Sequence, residues 1–168
     1  MPRLICLTIL LAAVMPACAQ EPSMRIRCEL SMPKSLQRSQ PAELVFTLTN
    51  AGNDVVQILN WQTPFEGIKA PMFDVARDGI EVEYHGRMLK RGAPRKEDYF
   101  VLKPGESKQA KIDLAEGWNS NAPGNYTVAY AAELFDAIAG SSSAPRGLDE
   151  FKPVPLDCNS VSFSRARE

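Results

Sequence analysis

The chain is short of the groups that most enzymes rely on. It holds one histidine, His85, in 168 residues. A Ser-His-Asp arrangement needs that imidazole as its base, and a zinc site of the metalloprotease kind needs at least two such ligands. Neither can be assembled around His85, which reads as a solvated residue at the end of a strand. HExxH, CxxC, GxSxG and a glycine loop suited to phosphate are missing too. One formal match remains, "SMPK" from Ser31 to Lys34, but Pro33 spoils the helix that an SxxK enzyme needs to bring hydroxyl and amine together. No catalytic residue is assigned. An excess of one charge is also lacking: 19 Lys and Arg stand against 20 Asp and Glu. Nothing in that balance draws the chain to nucleic acid or to a membrane surface.

Long apolar runs are scarce as well. The longest, Leu4 to Val14, falls well short of the roughly 20 residues that span a bilayer. Preceded by Arg3 and closed by Pro16 and Ala17-Cys18-Ala19, it reads as a secretory signal peptide over residues 1–19. Cleavage before Gln20 would release the chain to the periplasm or the medium. The small residues around Cys18 also resemble a lipoprotein site, although Met15 and Pro16 suit one poorly, so lipidation at Cys18 is the alternative. Cys6 leaves with the signal. Cys28 and Cys158 remain, and in an oxidising compartment the simplest outcome is one disulfide. It would close a loop of about 130 residues, worth about 4 to 5 kcal/mol in the chain-entropy model.

What is plentiful is strand pattern punctuated by turns. "ELVFTLTN" alternates, with Leu44, Phe46 and Leu48 on one face. "DVVQILNW" suits a strand covered on both sides. Asp78-Gly79, between "MFDVAR" and "IEVEYHG", supplies the positive φ angles of a two-residue hairpin turn, and Pro104-Gly105 predicts a type II turn. Tyr126, Val128 and Tyr130 share a face, as do Val161 and Phe163 near the end. Asp74, Glu81 and Glu83 alternate outward. Asn125-Tyr126-Thr127 has the glycosylation pattern but lies in a strand. These features predict an all-β chain: one antiparallel, immunoglobulin-like β-sandwich of seven or eight strands over residues 24–165. The segment "DAIAGSSSAPRGLDEFKPVP" has no sustained period, so a flexible loop is expected at about 136–153.

Two features resist a purely structural reading. Arg87, Lys90, Arg91, Arg95 and Lys96 fall within ten residues, in "HGRMLKRGAPRKEDY". That run is either a solvated hairpin loop or a surface that docks on an acidic partner. In "NWQTPFEG", Trp61 and Phe65 flank a turn stiffened by Pro64, at one end of the sandwich. They are either its hydrophobic plug or the anchors of a recognition site.

Taken in order, the W-x-T-P-x-E-G turn, the R-D-G hairpin with V-x-Y-x-G, the K-R-x-x-P and D-Y pair, L-x-P-G-x-S and the final G-x-Y-x-V form a set. From about residue 44 to 130 it resembles the N-terminal propeptide domain of bacterial aspzincin, or deuterolysin-type, zinc metalloendopeptidases. The catalytic HExxH and GTxDxxYG segments of that family have no counterpart here. The resemblance therefore implies a non-enzymatic module, with no zinc and no cofactor, that folds against a secreted metalloprotease and blocks its cleft. It makes Trp61, Thr63, Pro64, Phe65 and Glu66 candidates for the surface facing the protease. Lys90 and Arg91 join them, because aspzincins tend to accept lysine-containing substrates through acidic pockets. Gly117-Trp118-Asn119 and the serine-rich 140s have no clear counterpart. The expectation is a monomer that inhibits or chaperones a secreted metalloprotease; the rival is a structural or adhesive cell-envelope domain anchored through Cys18.

Overall fold

The computed structural model describes residues 24–140 and 144–167. The segment expected to be a signal peptide, with Cys18, and the serines at 141–143 lie outside the described residues. Those described are all-β, with four short 3-10 turns and thirteen strand segments: β1 (Ile26–Ser31), β2 (Ser35–Leu36), β3 (Glu43–Asn50), β4 (Val56–Leu59), β5 (Phe73–Arg77), β6 (Ile80–Glu81), β7 (Tyr99–Leu102), β8 (Ser107–Asp113), β9 (Gly124–Tyr130), β10 (Glu133–Leu134), β11 (Ala137–Ala139), β12 (Val154–Pro155) and β13 (Val161–Arg165). Eight of them run four residues or longer, in line with the seven or eight expected.

One sheet has the order β1-β3-β8 and faces a second of order β2-β13-β9-β5-β6. The alternating residues drive this closure. Leu44, Phe46 and Leu48 of β3 are fully buried, as are Tyr126 and Val128 of β9, and the Phe46 ring meets Tyr130 at 5.1 Å. A third sheet has the order β11-β4-β7, and β10 pairs with β12. All pairs are antiparallel except β2 with β13.

Both predicted turns are present. Asp78 and Gly79 take φ of 51° and 81°, and Asp78 Oδ1 accepts the Asn125 amide at 3.0 Å. Gly105 sits at φ 76°, with Glu106 N–H donating to the Lys103 carbonyl at 2.9 Å. Cys28 and Cys158 form the disulfide, joining β1 to a single bridge residue just ahead of β13 rather than to the last strand itself. Beside it, the Asn159 amide accepts from Leu30 N–H and donates to Leu30 C=O, each at 2.9 Å. That side chain takes the place of a missing strand neighbour along the β1 edge.

Three departures from the sequence reading have physical causes. The second strand of the Asp-Gly hairpin stops at Glu81, because the chain leaves the sheet to bridge Tyr84 with Trp118. The basic run is consequently not a hairpin loop; it crosses from the β5-β6 sheet to β7, beside β4. The excursion expected from 136 to 153 starts as structure, since Ala137–Ala139 pair with β4. Trp118, 2% exposed, fills the space between Phe73 and Tyr84, at 5.9 and 4.9 Å. Gly117 is required there, because a Cβ on it would lie 2.7 Å from the Tyr84 ring.

Candidate functional site

The "NWQTPFEG" stretch folds as a self-bonded knot packed against β8. Pro64 keeps Thr63 extended, at φ −116° and ψ 152°. Thr63 turns its hydroxyl back to the Asn60 carbonyl at 2.6 Å, beside the backbone bond from its own N–H at 3.1 Å. Pro64–Glu66 make one 3-10 turn, with proline where no N–H is needed, and Gly67 ends it at φ 77°. Gln62 is left in the left-handed region, φ 52°, a conformation costly for a residue with a side chain. Two bonds hold it there: its N–H donates to Glu66 Oε1 at 3.0 Å, and its carbonyl accepts the Tyr130 hydroxyl at 2.8 Å.

The basic loop lies over this knot. Arg91 pairs with Glu66 Oε2, and its guanidinium stacks 5.2 Å from the centre of the Trp61 ring. The Tyr84 hydroxyl donates to the Arg87 carbonyl at 2.5 Å, and Leu89 N–H donates to Lys69 C=O at 3.2 Å. At the far end, Asn60 N–H donates to the Asp98 carbonyl at 2.8 Å. The loop is thus pinned at Arg87, Leu89, Arg91 and Asp98, while Met88 and Leu89 remain 74% and 49% exposed.

Of the seven residues singled out by the sequence, Trp61, Thr63 and Pro64 are buried, Phe65, Glu66 and Arg91 are half-buried, and Lys90 is exposed. Trp61 and Phe65 point into different surroundings. The indole, 4% exposed, meets Phe151 at 6.1 Å on the side of the 144–153 segment; its Nε1 has no hydrogen-bond partner among the described residues. Phe65 packs edge-on against Phe46 at 5.5 Å and Phe100 at 4.9 Å, with the Lys108 ammonium 5.5 Å above it. Sequence reasoning did not single out Met88 and Leu89. The signal was present as two adjacent apolar residues inside a run of cations, without an alternating pattern to bury them.

A second polar centre lies directly behind. The Asp136 side chain is fully buried and accepts from the Tyr99 hydroxyl at 2.9 Å, Arg146 Nη1 at 3.1 Å and Lys152 N–H at 3.1 Å. Burial first, and the Asp136 carboxylate second, push the Tyr99 phenol up to about 12; burial also raises Tyr130. A phenol whose ionisation is raised by folding contributes stability that is complete below its unfolded value near 10. That contribution is lost as pH climbs through the folded value. Stability to denaturant should therefore fall as pH rises from about 10 to about 12. Tyr99→Phe should remove part of that slope, leaving the share of the other two raised phenols, Tyr130 and Tyr84.

No group of three His, Cys, Asp or Glu side chains among the described residues could hold a metal ion, and no helix among them is long and apolar enough to cross a membrane. His85 is exposed, with its backbone N–H on the Gly117 carbonyl at 2.9 Å.

With this geometry in place, the comparisons with known proteins define the class. The pattern of an immunoglobulin-like domain matches residues 29–138, and the chain belongs to that family. Among curated proteins it is similar to an extracellular protease of Aeromonas hydrophila, 35% identical over 71% of this chain and 34% of the relative. It is also similar to the neutral protease 2 homologue MEP3 of Coccidioides posadasii, 25% identical over 67% of this chain and 32% of the relative. The chain spans about a third of the length of these curated relatives, so the likeness is to a part of each. Among solved structures, a CARDB domain from Pyrococcus furiosus aligns over 89% of this chain and all of its own, at 14% identity and a TM-score of 0.38.

Proposed function

We propose that this chain is an exported, non-catalytic protein-binding domain that docks on an aspzincin-type metalloprotease and covers its cleft, as inhibitor or as folding chaperone. The protease relatives, each matched over about a third of its length, support an association with proteases, and the propeptide-like motif set supports the docking role. The observation that carries the reading is the segment from Arg87 to Arg91. Two apolar side chains stand out in solvent between cations, on backbone already held in place. Exposed apolar residues ringed by charge mark interaction surfaces, and a loop pinned before docking loses little entropy on binding.

The division of labour follows from burial. Met88, Leu89 and Lys90 make the contact, with Lys90 offering its ammonium to carboxylates on the protease. Trp61, Thr63, Pro64, Phe65 and Glu66 form the base, and Arg91 ties the loop to it. Calorimetric titration of the secreted chain with a purified secreted aspzincin is the test. The double variant Met88→Asp, Leu89→Asp should bind about 100-fold more weakly than the native chain. Its thermal stability should be unchanged, since neither side chain enters the core. Equal affinities would remove the loop from the interface, and no complex at about tens of micromolar would remove the docking role.

A further inference from the structure

We propose that Asp136, Arg146 and Phe151 are positioning residues for the basic loop, although none of them belongs to it. The segment 144–152 lies across the chain like a strap with four attachments. Ala144 N–H donates to Gln57 Oε1 at 3.3 Å, Arg146 and Lys152 N–H both reach Asp136 Oδ1, and the Phe151 ring packs on Trp61. Each of the last three ends on a group that also holds the basic loop. Asp136 Oδ2 takes the hydroxyl of Tyr99, the residue that directly follows the loop, and the Asp136 carbonyl accepts Leu59 N–H at 3.0 Å. The next residue, Asn60, grips the loop at Asp98. Trp61 carries Phe151 on one side and the Arg91 guanidinium on another.

Strap and loop are therefore two layers bound to one short piece of backbone, residues 59–61. A fully buried carboxylate with three donors has one satisfied arrangement, and losing its cationic partner leaves an uncompensated charge in the interior. The arrangement relaxes by letting the strap, Tyr99 and the 59–61 backbone shift together, which loosens the two clamps at Asp98 and Arg91. The proposal depends on the docking role only for its consequence at the protease. The coupling itself is a property of the isolated chain.

Amide hydrogen exchange of the secreted chain, native against Arg146→Ala, measures it without any partner. Arg146 itself is only half-buried, so the substitution opens no cavity among the core side chains. The Leu89 and Asn60 amides, which bond Lys69 and Asp98, should exchange about tenfold faster, along with Lys152 in the strap. Amides of β9 should not change, and Arg146→Lys, which keeps a cation facing Asp136, should restore most of the protection. Phe151→Ala should loosen Leu89 by the separate route through Trp61. Faster exchange confined to the strap would overturn the coupling, as would uniform acceleration that includes β9, or no change at all. If exchange behaves as expected and no protease binds, the docking role fails while the coupling stands.

Discussion

Replacing Cys28 and Cys158 with serine is expected to lower the free energy of unfolding by about 4 to 5 kcal/mol. The two cysteines are 130 residues apart in sequence, so the bond closes a long loop and removes that loop-closure entropy from the unfolded chain. The effect grows only slowly with loop length, but here the closed loop is nearly the whole domain. Against a typical stability of about 5 to 15 kcal/mol, that is about a quarter of the total or more. The folded state adds a smaller loss, because Cys28 is 6% exposed and a serine hydroxyl there would be buried among Leu30, Leu48 and their neighbours. The Asn159 clamp on Leu30 survives and limits fraying of β1. Guanidinium unfolding with and without reductant reads the difference. A change under about 1 kcal/mol would mean that the unfolded chain is already restrained elsewhere.

Trp61→Ala should cost about 3 kcal/mol, and the estimate comes from three opposing effects. Removing a buried indole loses about 3 to 5 kcal/mol through transfer and cavity terms. Loss of the guanidinium above the ring adds about 0.5 to 1 kcal/mol. In the other direction, the indole N–H has no partner among the described residues, and deleting an unsatisfied buried donor returns about 1 to 3 kcal/mol. The net loss corresponds to a fall of roughly 10 °C in Tm for a domain of this size. Phe65→Ala, at a ring less deeply buried than Trp61, should cost less, about 1 to 2 kcal/mol. Differential scanning calorimetry on both variants tests the order. Stability unchanged in Trp61→Ala would show that the buried indole is not part of what holds the fold together.

The parts of this fold that were legible in the sequence are those set by neighbours in sequence. Leu44, Phe46 and Leu48 alternate because one face of β3 is core, and Asp78-Gly79 turns the chain because both residues accept positive φ. The cysteine pair was legible by counting. What stayed hidden depends on partners far along the chain. Arg165 is 3% exposed and donates to the carbonyls of Gln37, Arg38, Gln40 and Ser120, the first three more than 120 residues away; nothing local distinguishes it from a solvated terminal arginine. Asp136 is hidden for the same reason, since its donors come from Tyr99, Arg146 and Lys152. The candidate site was half visible. Its residue types were apparent in "NWQTPFEG" and in the basic run, but sequence could not say that Arg91 and Glu66 pair with each other. Nor could it say that burial would divide the site into a base and an exposed tip at Met88 and Leu89.

Residual activity of a secreted aspzincin-type metalloprotease, titrated with the purified chain, tests the central claim most directly. The docking account predicts stoichiometric loss of peptide hydrolysis, with inhibition lost in the Met88→Asp, Leu89→Asp variant and the domain itself cleaving nothing. Full protease activity at a large excess of folded domain, or hydrolysis by the domain alone, would contradict it.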